Sequence, residues 1–191
     1  MTENVRQQPP AWLRERATRG TTTAEALAFF DTLAGVTLDA CIGRWRGSGL
    51  PTGHPLDGLL EALGWYGKEF VDPETVHPLL FQAHGGQVFA LDPAPVPVQQ
   101  ILRHPWLMRS RASRAAFTAA QPLLRTTKPK ARLRRTEHRG VVSATMIYDA
   151  LPILDIFREV DQATLLGLMD LRDMPQPFFF ILRRVVPVPG A

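Results

Sequence analysis

Cysteine is almost absent from this chain: Cys41 is the single one in 191 residues. No intramolecular disulfide can form, and a thiolate zinc site has no basis. Long apolar runs are missing as well. None is longer than residues 178–182, far short of the ~20 residues that a membrane-spanning helix needs. The opening segment MTENVRQQPP has no apolar stretch of the kind a secretory signal carries, so a cytoplasmic protein is expected. Nucleotide signatures are lacking, since GLPTG and GWYGK are too short and wrongly ordered for a phosphate loop or a dinucleotide fingerprint. Ser48 and Ser143 lack the G-x-S-x-G setting of a nucleophilic serine. Cys41 has no histidine or asparagine partner near it in sequence and reads as a small buried hydrophobe. The five histidines (His54, His77, His84, His104 and His138) show no metal-ligand spacing, and three of them precede proline. That dipeptide starts helices or bends edge strands, so local geometry is its expected role.

What is present is a globular composition, 45% hydrophobic and 21% charged, of a length that suits one domain. The net charge of +4 conceals an asymmetry. Residues 103–139 hold 11 Lys and Arg against one acid, Glu137, so this segment carries +10 and the remainder −6. Such a block suits an anionic partner such as a membrane surface, or else a solvated connector. Nucleic acid is disfavoured, because only Trp106 and Phe117 supply aromatic rings among those cations.

Punctuation divides the chain into a loose leader (1–20), a first half (21–92), a basic, proline-containing helical connector (93–129) and a second half (130–191). Thr22 and Glu25 have capping-box spacing ahead of an apolar helical stripe, which predicts a helix to residue 34. Strands are predicted over 39–47, 65–71, 76–83 and 88–91, with a tight turn at 84–87 and a short helix from 54 to 63. In the second half 130–139 and 141–148 flank Gly140 as a hairpin; strands follow at 163–171 and 178–186, and 153–160 is ambiguous. Neither half has strands enough to bury itself alone, so one antiparallel sheet or barrel built from both is expected.

Two segments carry a family resemblance. GRWRG (43–47) and HPLDGLLEALGWYGKEF (54–70) resemble the GXWXG proteins of bacteria. SATMIYDALPILDIFREVD, TLLGLMD and FFFILRR resemble the domain of unknown function that usually follows. The resemblance implies a mainly β fold: an antiparallel barrel of the lipocalin and fatty-acid-binding kind with flanking helices, whose interior holds apolar ligands. In such barrels Gly43, Trp45 and Gly47 would close one end, with Arg183 or its neighbour Arg184 stacked on the indole. GRWRGSG also resembles the start of the nitrobindin motif, a haem-binding barrel. Pro51 departs from that pattern, and the last histidine, His138, precedes the final strands. Haem is therefore an alternative cofactor only, with Tyr148, Met146 or Met169 as conceivable ligands; otherwise no cofactor is expected.

The leading functional expectation is a non-enzymatic binding protein for a hydrophobic, lipid-like and anionic ligand, such as a fatty acid or phospholipid. Trp65, Phe70, Tyr148, Met169 and Phe179 would form the apolar wall, and Lys68 would meet the head group together with arginines of the basic segment. A second expectation is an enzyme using Asp149 or Asp155 as general base, one of these (or Asp170) being paired with Lys68 or Arg158. The plain alternative for those acids is turn geometry. A third is a homodimer, because both faces of the final strand are apolar and one must meet helices or a partner.

Overall fold

The computed structural model describes residues 10–83, 85–104, 106 and 110–186. The start of the leader (1–9), His84 of the predicted turn, and Arg109 of the basic segment lie outside them. The leader is not wholly irregular: residues behind Pro10 form α1 (Ala11–Arg19), with Leu13 buried. The capping box is made at α2 (Thr23–Thr32), where the Thr22 hydroxyl accepts from the Glu25 backbone N–H and the Glu25 carboxylate accepts from that of Thr22.

Next come β1 (Ala34–Gly35), α3 (Leu38–Cys41) and β2 (Gly43–Gly49). The strand predicted over 39–47 therefore begins later. Thr37 caps a helical turn by accepting from Ala40 N–H, so Cys41 sits on that turn instead of sharing a strand face with Trp45. The first half ends with α4 (Leu59–Ala62), β3 (Trp65–Phe70), β4 (Val76–Gln82) and β5 (Val88–Leu91). The connector contributes α5 (Val98–Arg103), α6 (Arg111–Leu124) and the two-residue β6 (Arg125–Thr126). Among the described residues of the second half every regular element is a strand: β7 (Ala131–His138), β8 (Val141–Tyr148), β9 (Ile153–Asp161), β10 (Thr164–Leu171) and β11 (Phe178–Arg184).

Eight strands close into an antiparallel barrel in the order β3-β2-β11-β10-β9-β8-β7-β4, with β4 returning to β3. Around the barrel the two halves meet at β2–β11 and at β4–β7, and beside it β1 pairs with β9. The β4–β7 seam is slight. Only Val76 pairs with β7, through Ala131, and from Leu80 onward β4 pairs with β5. Closure removes the exposed edges that a strand-rich chain of this size would otherwise present.

Alternation along the strands sorts side chains into two cores. Inside the barrel lie Trp45, Phe70, Leu133, Met146, Phe157, Leu165, Phe178 and Phe180. Outside it, Leu13, Ala26 and Phe30 of α1 and α2 pack on Ile156, Leu166, Leu168, Phe179 and Ile181. Both faces of β11 are apolar for this reason: one fills the barrel and the other is roofed by helices of the same chain. Glycines make room where rings crowd. A Cβ on Gly47 would lie 2.3 Å from the Trp65 ring, and one on Gly167 would lie 2.3 Å from the Phe180 ring.

Trp45 is fully buried and donates its indole N–H to Cys41 O at 2.7 Å. The cation stacked on it is Arg184, 4.2 Å from the ring centroid, which also donates to Ile42 O and Ala40 O. This corrects the assignment of Arg183. That residue sits in register with Arg46, is exposed, and is 3.4 Å from the Ser48 hydroxyl. Strand parity decides between the neighbours, since only one of two successive side chains can face the tryptophan.

The basic segment is not a bare cationic patch. Lys130 pairs with Asp92, Arg132 with Asp149, Arg134 with Glu74 and Arg139 with Asp31. Its excess is thus met in part by the acids of the remainder.

Candidate functional site

The barrel interior is not filled. A cavity of about 230 Å³ lies between the inner faces of the strands and the connector. Its wall is almost wholly hydrocarbon and aromatic. Trp65, Met169, Phe178 and Phe180 come from strands, Leu56, Leu59, Leu60 and Leu63 from α4 and its approach, and Pro95, Val98, Ile101, Phe117 and Leu124 from the connector. The connector packs against β4 through Phe117 on Phe81, ring centroids 5.5 Å apart, and supplies part of the cavity wall. Spacing explains its inner face: Phe117 and Leu124 are seven apart on α6, two turns of helix.

Three polar side chains interrupt this wall: Lys68, Tyr148 and Asp155. Lys68 reaches the interior because β3 slips register at Gly67. Strict alternation from Trp65 would turn residue 68 outward. At Gly67 φ is +149° and the pairing with β4 shifts on both sides, so Trp65, Lys68 and Phe70 are all buried while Tyr66 and Glu69 are not. A Cβ at Gly67 would lie within 2 Å of Trp45 O, which leaves glycine as the residue that fits.

The Lys68 ammonium lies 2.8 Å from Asp155 Oδ2, and the two side chains are 3% and 1% exposed. It also donates to Pro78 O at 3.1 Å and approaches Tyr148 Oη at 3.5 Å. The faces of Trp65, Tyr148 and Phe180 lie within 6 Å of it. Asp155 stands on β9 between Met146 and Met169 of the adjacent strands. Its second oxygen, Oδ1, is buried without a hydrogen-bond partner. Burial pushes the Asp155 carboxyl above the ordinary aspartate range, against the pull of Lys68. Burial, and then the Asp155 charge, push Tyr148 well above the ordinary phenol range, so it keeps its proton. Because Tyr148 Oη accepts from Lys68, its own O–H remains available as a donor. Asp155 and Tyr148 both line the cavity and both meet the Lys68 ammonium, so a carboxylate acceptor and a hydroxyl donor belong to the same stretch of wall.

Of the residues expected to form the wall, Trp65, Lys68, Tyr148 and Met169 line the cavity. Phe70 is inside the barrel but packs edge-on against Phe157 at 5.6 Å, away from the cavity wall. Phe179 is on the other side of the sheet, 6.1 Å from Phe30 under α2; its neighbours Phe178 and Phe180 take the inner positions. Nothing in an all-apolar strand distinguishes its faces, so the parity expected for Phe179 is the reverse of the one observed. Of the two candidate bases, Asp155 is in the cavity. Asp149 is 44% exposed and pairs with Arg132 on the surface. Arg158 points outward, stacked 4.7 Å from the Phe30 ring and donating to His138 O. Among the described residues no group of three or more His, Cys, Asp or Glu could hold a metal ion, and none of the described histidines lines the cavity. Cys41 is buried, its thiol pushed up to about 12 by desolvation, and it stands apart from the cavity wall.

Fold and cavity together define a closed, eight-stranded antiparallel barrel with an apolar interior chamber. Residues 28–86 match the GXWXG protein family and residues 129–184 the Domain of unknown function (DUF4334). A solved crystal structure of a protein from Thermomonospora curvata shares 32% identity with this chain at a TM-score of 0.64, covering 85% of this chain and 87% of that one. The chain belongs to the family in which a GXWXG segment is followed by this C-terminal domain. No curated protein matches it. Among the described residues no helix is long and apolar enough to cross a membrane.

Proposed function

We propose that the barrel binds a small, predominantly apolar and electrically neutral molecule that carries one polar group. The observation that supports this most directly is the Lys68–Asp155 pair at 2.8 Å in the cavity wall, with Asp155 Oδ1 unpartnered. A buried carboxylate oxygen without a partner is costly, and a ligand hydroxyl or amide N–H would satisfy it. Apolar walls supply affinity through burial while the few polar groups fix orientation. The pair also narrows the ligand class. Lys68 is already neutralised by Asp155, so an anionic head group would face the carboxylate and be repelled. A cavity of about 230 Å³ is below the ~300–1,000 Å³ typical of drug-sized sites, which favours one short chain or ring over a two-chain lipid.

Calorimetric titration with 1-octanol, octanoate and octane tests this. The alcohol should bind most tightly, with octane weaker for want of the hydrogen bond and octanoate weaker for its charge. Octanoate binding more tightly than 1-octanol would refute the neutral-ligand reading. Failure of all three would refute binding in this cavity.

A further inference from the structure

Resting on that reading of the cavity, we propose that the site is also catalytic toward one class of neutral ligand. Asp155 Oδ1 removes a proton from carbon beside a ketone, and the Tyr148 hydroxyl holds the oxygen on which charge develops. The substrate class is a compact apolar ketone with an acidified C–H, such as a β,γ-unsaturated ketone, and the reaction is migration of its double bond into conjugation.

Three observations converge on this. First, the ion pair is not explained by stability. A buried pair is commonly no better than well-packed hydrocarbon, yet β3 breaks its alternation at Gly67 to bring Lys68 inward. Second, the two open valences are of the right kinds: a carboxylate oxygen with no donor of its own, and a hydroxyl proton not used by Lys68. Third, the walls are almost wholly apolar, and in such surroundings a hydrogen bond to a developing charge is stronger than in water.

The atoms and charges balance without a further reactant. Asp155 Oδ1 forms an O–H bond as the α C–H bond breaks. The C–H pair becomes a C=C bond, and the carbonyl π pair moves onto oxygen, giving a dienolate hydrogen-bonded to Tyr148. In the return step the carbonyl re-forms and the γ carbon takes the proton back from Asp155. Throughout, the chamber contains one cation, Lys68, and one anion, which is first the carboxylate and then the dienolate. Negative charge moves only between neighbours of the same ammonium, so no isolated charge is created in an apolar cavity. Burial, by raising the Asp155 carboxyl, brings the base closer in strength to the carbon acid.

The test uses the full chain and 3-cyclohexenone, with conversion to the conjugated 2-cyclohexenone followed by ultraviolet absorbance and binding followed by ligand NMR line broadening. The expected result is turnover about 10²–10⁴-fold above the buffer rate. The rate should fall on acidification, with a midpoint above the ordinary aspartate range. Asp155→Asn should return it to the buffer rate, and Tyr148→Phe should lower it while leaving the pH midpoint in place. Because Asp155→Asn strands a buried ammonium, the paired replacement Lys68→Met/Asp155→Leu serves as a second, inactive variant whose fold is checked by circular dichroism. Binding of 3-cyclohexenone at the buffer rate of conversion would overturn the catalytic proposal and leave the binding reading standing. So would a folded double variant that keeps the rate. If neither 3-cyclohexenone nor 1-octanol binds, the binding reading falls and takes the catalytic one with it.

Discussion

Replacing Lys68 by Met removes the cation paired with a carboxylate that is 1% exposed. The stranded Asp155 has two ways to respond. It can stay ionised without a partner, which for broken buried pairs costs about 3–5 kcal/mol. It can instead take a proton, whose cost at a given pH is set by the distance from the ordinary aspartate value of 3.8. At ~1.36 kcal/mol per pH unit, that route costs about 4 kcal/mol at pH 7 and about 2 kcal/mol at pH 5. The cheaper route wins, so the defect of Lys68→Met should be close to about 4 kcal/mol at neutral pH and shrink as pH falls. Asp155→Leu leaves the opposite problem. Its stranded ammonium should cost about 3–5 kcal/mol. Lys68→Met/Asp155→Leu removes both charges and should lie within about 2 kcal/mol of the parent, on either side. Urea unfolding at pH 5, 7 and 9 measures all three. Two single variants with small, pH-independent losses would refute the reasoning, because they would mean that the pair is solvated and the chamber wet.

Gly67→Ala should cost at least about 3 kcal/mol or abolish folding, since its Cβ would enter Trp45 O at a φ of +149°; Gly140→Ala, also at positive φ but in open space, should cost about 1 kcal/mol by the same melts. Arg184→Ala should lose about 2 kcal/mol with its stack on Trp45 and its two carbonyl contacts, whereas Arg183→Ala should stay within about 0.5 kcal/mol. His54, 2% exposed, is held by burial at about 4, below its ordinary 6.5. Above 6.5 it is neutral folded or unfolded; below, the unfolded chain takes the proton first, so stability should fall by about 3 kcal/mol from pH 6.5 to 4 and level off. In His54→Gln that slope should flatten, and an imidazole titrating near 6.5 by NMR would contradict the assignment.

Much of the architecture was legible because local signals and strand periods agree. The capping box at Thr22 and Glu25, the hairpin about Gly140 and the apolar strands of the second half all stand where the residues place them. The misses have local causes. The strand expected over 39–47 starts later because Asp39 to Cys41 forms a helical turn with no periodicity of its own, marked in sequence by the Thr37 cap. α1 leaves little trace in the leader's sequence because it has one buried side chain, Leu13, and its helix depends on packing against the barrel more than on its own pattern.

The site was legible in its composition and illegible in its parity. Lys68 and Asp155 could be singled out as charges among apolar neighbours, but which way each faces depends on an alternation that one bulge reverses. The signal for that bulge was Gly67 itself, a lone glycine inside a strand pattern. The same reasoning accounts for the choice between Phe179 and its neighbours. A strand apolar on both faces leaves parity to whatever covers it, here α2 through Phe30. Where a strand holds a charge, parity has a preferred sense, with the charge toward water. Placing Lys68 outward would have been the cheap solution, and keeping it inward requires the bulge, a carboxylate opposite, and a glycine that no side chain can replace. Stability alone gives no reason for that combination, which is why the functional reading rests on the pair and not on the cavity's size.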